Sequence, residues 1–369
     1  MQEIRALTGL RGIAALIVFF AHTREHLTDQ GIDFSIPILV QRLFLMGGRQ
    51  VDIFFVLSGF ILALTYQKWF VEAVTSATYW KFLQRRIARI YPLHFVVLLL
   101  VLAMVTAARV LHLSTTYGLD RFDLTTLPAH LLLVHAWGFL DGAGEWNPPS
   151  WSISIEAVAY LIFPFLIWGT VRWAREKPWV LVGIAVAIGL ALNAATHWST
   201  YGFGGLARGL SEFLLGCATV NLYQRPIAQW LQSNLGAWLA VLFLAVVFAL
   251  TPDTGFVIGI ATAPLLLTLS ADNAVSRMVG SRPLFFLGEI SYSIYLGHFL
   301  FSSAAYRVVS VQWMKTGTLQ VVVGVTVVTA IVVVASTVTY YAIERPGRDW
   351  LSGRRAKKAA SAVVSTGGA

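Results

Sequence analysis

LRGIAALIVFFAH, residues 10–22, sets an arginine and a histidine at the two ends of an apolar run. The ten residues between Arg11 and His22 carry no charge. An α-helix turns about 100° and rises about 1.5 Å per residue. Eleven such steps bring His22 to within roughly 20° of Arg11, about 16 Å further along one face. The surrounding stretch, residues 10–26, is long enough to read as a membrane span. Ionisable side chains inside a span are costly and as a rule face a cavity or a partner. Either residue alone has a structural reading, Arg11 snorkelling to the membrane surface and His22 packing with a hydrogen bond. Together on one face they point to a polar cavity.

The whole chain has this character. It is 57% hydrophobic and only 12% charged, against about 25% charged in soluble domains. That composition excludes a pair of soluble domains and predicts an all-α, polytopic transmembrane helix bundle. Ten spans are expected, at roughly 10–26, 51–67, 90–109, 150–171, 179–197, 204–222, 235–251, 255–271, 284–305 and 318–342. The single cysteine, Cys217, excludes an intramolecular disulfide, and its apolar setting predicts a buried, inert thiol.

A net charge of +9 raises the question of nucleic acid. The positions of the charges answer with orientation instead. One side of the membrane collects Arg5, Lys68, the cluster from Lys81 to Arg89, Arg172 to Lys177, Arg225, Arg277, Arg282 and the stretch from Arg345 to Lys358. The other collects Arg24, Arg42, Arg49, Arg109, Arg121, Arg307 and Lys315. Eighteen against seven, with Arg11 and Arg208 inside spans, places both termini in the cytoplasm. The apolar segment 128–140 is short, and a crossing there would put Arg172 to Lys177 outside. It is therefore read as re-entrant or interfacial. The first span begins like a signal peptide but has no small-residue cleavage site after it, so it is expected to stay. Residues 1–351 form the membrane domain. Residues 352–369, basic and then small and polar, are expected to be a disordered tail on the anionic inner leaflet.

Other spans repeat the oddity of the first. The second carries Asp52 at its outer end and Ser58-Gly59 in the middle, a pair that often serves only close helix packing. In NPPSWSISIEAVAYLIFP, Asn147, Ser150, Trp151, Ser152, Ser154 and Glu156 crowd the outer end of the fourth span, and a substrate pocket is expected there. Arg208 and Glu212 in the sixth span, spaced i and i+4, predict a buried ion pair. The ninth carries Glu289, Tyr292, Tyr295 and His298. Before the third span, KFLQRRIARIYPLH places Arg86 and Arg89 at i and i+3. Such a basic turn is either an orientation anchor or an anion site able to grip phosphate oxygens. No glycine-rich phosphate loop and no metal-ligand spacing is present in the sequence, so neither ATP chemistry nor a bound metal is indicated.

These residues resemble acyltransferase family 3. The resemblance is carried by R-x10-H in the first span, VDIFFVLSGFIL in the second, RRIARIYP after it, PSWSISIEAVAYLIFP, ISYSIYLGH and YYAIERP, in that order across about residues 3–347. It implies a bacterial inner-membrane O-acyltransferase of about ten helices. Such a protein takes an acyl group, commonly acetyl, from cytoplasmic acyl-CoA and passes it to a hydroxyl of a glycan or lipid-linked sugar. Some members acylate small molecules such as macrolides. The sequence departs from the family where an acidic or aromatic pair often follows the serine-rich motif. Here the run is Glu156-Ala157-Val158-Ala159-Tyr160, so Glu156 acts alone. The esterase-like C-terminal domain of some members is not seen after Pro346, which predicts a stand-alone membrane unit.

Chemistry assigns expected roles. A sugar hydroxyl needs a base, and a neutral histidine within hydrogen-bond reach can serve. His22 is the expected base, with His298 as rival base or donor to the oxyanion. Glu156 either orients His22 or binds the acceptor hydroxyl. Arg86 and Arg89 hold the CoA phosphates, with Arg11 at the mouth. Asp52, Asn147, Ser150, Trp151, Ser152 and Tyr292 are expected to face substrate. No tightly bound cofactor is expected. The expected partners are acyl-CoA, the acceptor, membrane lipids, polysaccharide assembly proteins and a second copy of the chain, and nucleic acid is not among them. The rival classes are a proton-coupled secondary transporter and a non-catalytic scaffold. A transporter more often shows inverted repeats and broken helices in matching halves, and neither is found in the sequence.

Overall fold

The computed structural model describes residues 4–32, 50–112, 119, 121–139, 146–197, 199, 202–223, 225–250 and 255–353. The 352–369 tail therefore lies almost wholly outside the described residues, as do Arg42 and Arg49. Among the described residues there is no strand. The helices are α1 Arg5–Asp29, α2 Gln50–Tyr66, α3 Ser76–Val110, α4 Leu127–Leu131, α5 Ser150–Glu176, α6 Pro178–Ala195, α7 Gly202–Thr219 and α8 Pro226–Leu231. They continue with α9 Asn234–Leu250, α10 Gly255–Leu269, α11 Ala274–Val279, α12 Arg282–Glu289, α13 Ser291–Val308, α14 Val311–Met314, α15 Thr318–Thr339 and α16 Arg345–Leu351. A π-helical turn, Tyr340–Glu344, joins α15 to α16.

The stretches expected as spans lie mainly in helices, one of them, 284–305, divided between α12 and α13. Among the described residues six helices are long and apolar enough to cross a membrane, or seven when α12 and α13, bent by 65°, count as one. Helices α9 and α10 are apolar but shorter. Helix α7 carries the charges of Arg208 and Glu212.

Local chemistry sets the helix ends. Helix α1 stops where Gly31, at φ +77°, takes the left-handed conformation. The Gly31 N–H then bonds the Thr28 carbonyl and the Ile32 N–H bonds the Leu27 carbonyl, closing the last turn. Helix α3 opens on a capping box in which Thr75 and Thr78 satisfy each other's backbone N–H groups.

The polarity of the fold is that of a membrane bundle. Large apolar side chains such as Leu99, Trp168, Ile184, Leu242 and Val334 point outward. Asp52, Arg208, Glu212, His298 and Glu344 are buried. Helix α2 is largely buried at the centre, and α6 lies at the rim with most of its side chains outward. Small residues let the central helices touch. A methyl group at Gly59 would overlap the Phe213 carbonyl, and one at Gly216 would overlap the Val56 carbonyl, so α2 and α7 pack backbone to backbone. Cys217, in the same contact, is buried as expected and donates its S–H to the Gly59 carbonyl.

Segment 123–146 leaves and returns on itself. The Trp146 indole N–H bonds the Asp123 carbonyl and the Thr126 hydroxyl, so the two ends meet. Between them the Leu131 carbonyl accepts from the Tyr91 hydroxyl, and the His130 carbonyl contacts His94 Nε2. At the other end Arg109 donates to the Phe122 carbonyl. Residues 91 and 109 are about 27 Å apart along α3, so the stretch from Phe122 to Leu131 is anchored at two widely separated levels of that helix. At its mouth, hydrogen bonds from the Thr125 hydroxyl and backbone N–H hold the Asp123 carboxyl below its usual range.

Candidate active site

Helices α1, α2, α3, α5 and α13 enclose a cavity of about 130 Å³. Arg11 reaches it from α1, Arg86 and Arg89 from α3, Ser152 and Glu156 from α5, and Tyr292 from α13. Six side chains chosen from four separate stretches of sequence thus line one space.

The arginines are already partly engaged. Arg86 donates through Nη2 to the Tyr66 hydroxyl at 2.8 Å and lies over the Tyr66 ring. Its Nε is buried with no hydrogen-bond partner among the described residues. Arg89 Nη1 bonds Glu344 Oε1 at 2.5 Å, and Ser293 Oγ donates to the other oxygen of the same carboxylate at 2.8 Å. Glu344 is fully buried on the π-helical turn, the kind of helix irregularity that concentrates at functional sites. The remaining cations of the basic turn go elsewhere. Lys81 and Arg85 lie over the Trp69 ring. The spacing of Arg86 and Arg89 therefore separates two cavity arginines from Lys81 and Arg85, which do not line the cavity.

Glu156 accepts a hydrogen bond from Ser58 Oγ at 2.7 Å. Ser58 also lines the cavity, so the Ser58-Gly59 pair is both a polar contact and a packing contact. Tyr292 donates to the Ile90 carbonyl at 2.6 Å and presents its ring to Arg89. Ser152 Oγ and the Tyr295 hydroxyl lie 2.8 Å apart, and both lie near the Pro149 carbonyl. Tyr295 lines the cavity at this end.

Beyond Tyr295 stand the two histidines. His298 Nε2 lies 3.2 Å from His22 Nδ1, and the rings stack with centroids 5.1 Å apart. His22 Nδ1 also lies 3.0 Å from the Val18 carbonyl. His298 Nδ1 lies 2.7 Å from the Tyr295 carbonyl. Helix α1 thus carries Arg11 on the cavity and His22 about 16 Å further on. Helix α13 carries Tyr292 and Tyr295 on the cavity and His298 one turn further on.

The other expected substrate residues sit elsewhere. Asp52 is buried and grips Arg208 edge to edge, Nε to Oδ1 at 2.6 Å and Nη2 to Oδ2 at 2.7 Å. Both of its oxygens pair with that guanidinium, and Asp52 is not among the residues lining the cavity. The ion pair expected between Arg208 and Glu212 is present only at 4.0 Å. Asn147 donates to the Leu296 carbonyl. Ser150 bonds the Asn147 carbonyl and contacts His135 Nε2. Both are buried away from the cavity lining and tie the start of α5 to α13 and to His135. Trp151 packs edge-on against Phe55. Ser154 holds the same segment, accepting from the Ala136 N–H and donating to the Leu133 carbonyl.

Residues 4–341 match the family model described as "Acyltransferase domain", that of acyltransferase family 3. The chain belongs to this family. Acyltransferase MdmB of Streptomyces mycarofaciens is 30% identical over 327 residues, 81% of this chain and 79% of the relative. Protein 2 in picA locus of Rhizobium radiobacter is 32% identical over 205 residues, 51% of this chain and 93% of the relative. O-acetyltransferase OatA of Staphylococcus aureus is 25% identical over 343 residues, and the match covers 81% of this chain and 51% of that protein. No solved structure matches the chain.

Three further residues of this family 3 site carry little signal in the sequence. Ser58 stands beside a glycine in a span, where close packing is the ordinary explanation. Tyr295 carries no mark beyond its place among the polar residues of the ninth span. Glu344 lies in the quoted YYAIERP stretch, but its partner Arg89 is 255 residues away, and no local period shows such a pairing.

Proposed function

We propose that this acyltransferase is an acyl-CoA-dependent O-acyltransferase of the bacterial inner membrane, with ten spans and both termini cytoplasmic. It moves an acetyl group to a hydroxyl of a glycan or lipid-linked saccharide. The observation that carries the reading is that two helices lining the cavity, α1 and α13, also carry the paired histidines beyond it. Three arginines line the cavity at one end, and the same helices α1 and α13 lead from it to His22 and His298. Acetyl as the group, and oxygen as its destination, draw on the name of the Staphylococcus relative.

Arg11, Arg86 and Arg89 receive the CoA phosphates, for which a fork of N–H donors is suited. An extended pantetheine arm then runs along the cavity toward His22, past Tyr292 and Ser152. Neutral His22, with its proton on Nδ1, has a bare Nε2. The acceptor hydroxyl gives its proton to Nε2 as its oxygen attacks the thioester carbonyl carbon. The new C–O bond forms, the C–S bond breaks, and the CoA thiolate takes the proton back from Nε2. Glu156, bonded to Ser58 and apart from both histidines, binds a polar group of a substrate in the cavity.

Membrane vesicles holding the protein, supplied with acetyl-CoA labelled in the acetyl group, test this. Label is expected in an alkali-labile, hydroxyl-linked form in the glycolipid fraction. Label confined to free acetate and acetyl-CoA in every lipid and glycan fraction overturns the proposed acceptor class. The same label appearing in an added macrolide instead moves the acceptor to a small molecule.

A further inference from the structure

Every contact of the two histidines is satisfied by one assignment of their protons. A backbone carbonyl only accepts. His298 Nδ1, at 2.7 Å from the Tyr295 carbonyl, therefore carries a proton, and His298 Nε2 is a bare acceptor. His22 Nδ1, at 3.0 Å from the Val18 carbonyl, carries a proton too. The 3.2 Å contact between His22 Nδ1 and His298 Nε2 then joins a donor to an acceptor. His298 is buried, and the Tyr295 bond anchors its ring. Phe19 meets it edge-on from α1.

We propose that His298 is a positioning residue for His22, accepting its Nδ1–H and so holding the tautomer that leaves His22 Nε2 open to the acceptor hydroxyl. The inference rests on His22 being the base. Its chemistry is that of a triad whose third member orients the histidine. Here the third member is a neutral imidazole in a carboxylate's place. When His22 Nε2 takes the hydroxyl proton, the imidazolium's charge is shared through Nδ1–H with the lone pair of His298 Nε2. The proton on Nδ1 stays where it is. The one on Nε2 leaves with the thiolate, so the pair ends the cycle as it began. Tyr295 completes the device, since its carbonyl fixes His298 while its side chain lines the cavity. His298 thereby acts through His22 rather than on the substrate.

The test uses the full chain in lipid nanodiscs with ¹⁵N-labelled histidine, the resonances of the pair being assigned by their loss in His22→Ala and His298→Ala. Both residues should show the Nδ1–H tautomer in the unmodified protein. In His298→Leu the shared Nδ1–H keeps the Val18 carbonyl alone as its acceptor, and the Nε2–H tautomer of His22 should grow in. His298→Gln, which puts an amide oxygen near the Nε2 position, should restore the Nδ1–H form. Labelled acetyl-CoA in membrane vesicles gives the second readout. His298→Leu should lower kcat by about 10- to 10⁴-fold, as loss of an orienting partner does, with the KM for acetyl-CoA unchanged. His298→Gln should recover a large part of the rate. His22 resting in the Nε2–H tautomer, or a normal rate in His298→Leu, overturns the proposal. An inactive His22→Ala beside a fully active His298→Leu removes the positioning role and leaves the base in place. A fully active His22→Ala removes the base itself.

Discussion

Arg89 and Glu344 join the third helix to the π-helical turn near the end of the chain, Nη1 to Oε1 at 2.5 Å. Glu344 is fully buried, whereas the Arg89 side chain keeps 20% of its surface exposed. One carboxylate thus fixes one edge of the guanidinium and leaves the rest of the fork toward the cavity. Glu344→Gln should keep the shape and lose the charge that holds Arg89 in place. The KM for acetyl-CoA should rise about tenfold, equivalent to about 1.4 kcal/mol, with a smaller change in kcat. Steady-state kinetics in vesicles give both numbers, and a fall in kcat alone would count against the positioning of Arg89.

The two cavity arginines should respond differently to removal. Arg86 is tied to a neutral tyrosine hydroxyl. Arg86→Ala should cost donor binding of about 1.5–3 kcal/mol, the worth of a hydrogen bond to a charged group, and little stability. Arg89→Ala should cost a similar amount of binding and also strand a buried Glu344. Breaking a buried pair from one side costs about 3–5 kcal/mol. Acyl-CoA affinity and melting in detergent, measured on both variants, separate the effects. Equal melting temperatures in the two would show that Glu344 does not depend on Arg89.

Asp52 and Arg208 should prove structural. Asp52→Asn should destabilise the fold by about 3–5 kcal/mol, because the guanidinium loses its two-point partner and Glu212, at 4.0 Å, is a distant substitute. Arg208→Lys should fail to rescue, since an ammonium does not match the flat fork. Gly255→Ala should be harmful as well, for a methyl there would press on the Arg208 guanidinium. Thermal melting of the purified variants checks all three. Normal melting in Asp52→Asn, with weakened acceptor use, would return Asp52 to the substrate.

These outcomes mark where sequence was legible and where it was not. Spans are legible because a bilayer demands long apolar runs, and the helices fall on those runs. Arg86 and Arg89 were legible as a pair because three residues is a helical neighbour distance. Arg208 was matched to Glu212 by the same logic, and that ion pair is present at 4.0 Å, but the logic shows nothing of the stronger partner. Its two-point partner is Asp52, 156 residues away, brought close by the glycine contact between α2 and α7. Periodicity reports neighbours on one helix and is silent about which helices pack together. For the same reason Asn147 and Ser150 read as a pocket, since their polar crowding could not show that Leu296 and His135 already occupy them.

Topology can be tested through a single reactive site. Cys217 is buried, so a cysteine introduced at exposed Leu124 should dominate labelling. Leu124→Cys should react with an impermeant maleimide added to intact spheroplasts. Cysteines added at either terminus should react only after the cytoplasmic face is opened. Labelling of residue 124 from the cytoplasmic face alone would invert the bundle and make segment 123–146 dip from the inside.

His22→Ala is the variant on which the proposed chemistry turns. His22 lies about 16 Å along α1 from Arg11, so base and phosphate contacts occupy separate parts of one path. Removing the imidazole should therefore leave acyl-CoA binding near normal while acetyl transfer falls by about 10²–10⁴-fold, the usual worth of a general base. Folding should survive, since His22 is only partly buried and its bonds to the Val18 carbonyl and His298 are not the sole tie between α1 and α13. Acyl-CoA affinity by calorimetry and transfer by label incorporation, on one preparation, read the two halves independently. A lost affinity with the arginines intact would mean that the thioester end supplies most of the donor's hold, and that the phosphate reading of Arg86 and Arg89 is misplaced. A retained rate would mean that the hydroxyl is deprotonated elsewhere. Glu156 would then be the next group to remove, because it lines the cavity and a carboxylate can accept a proton.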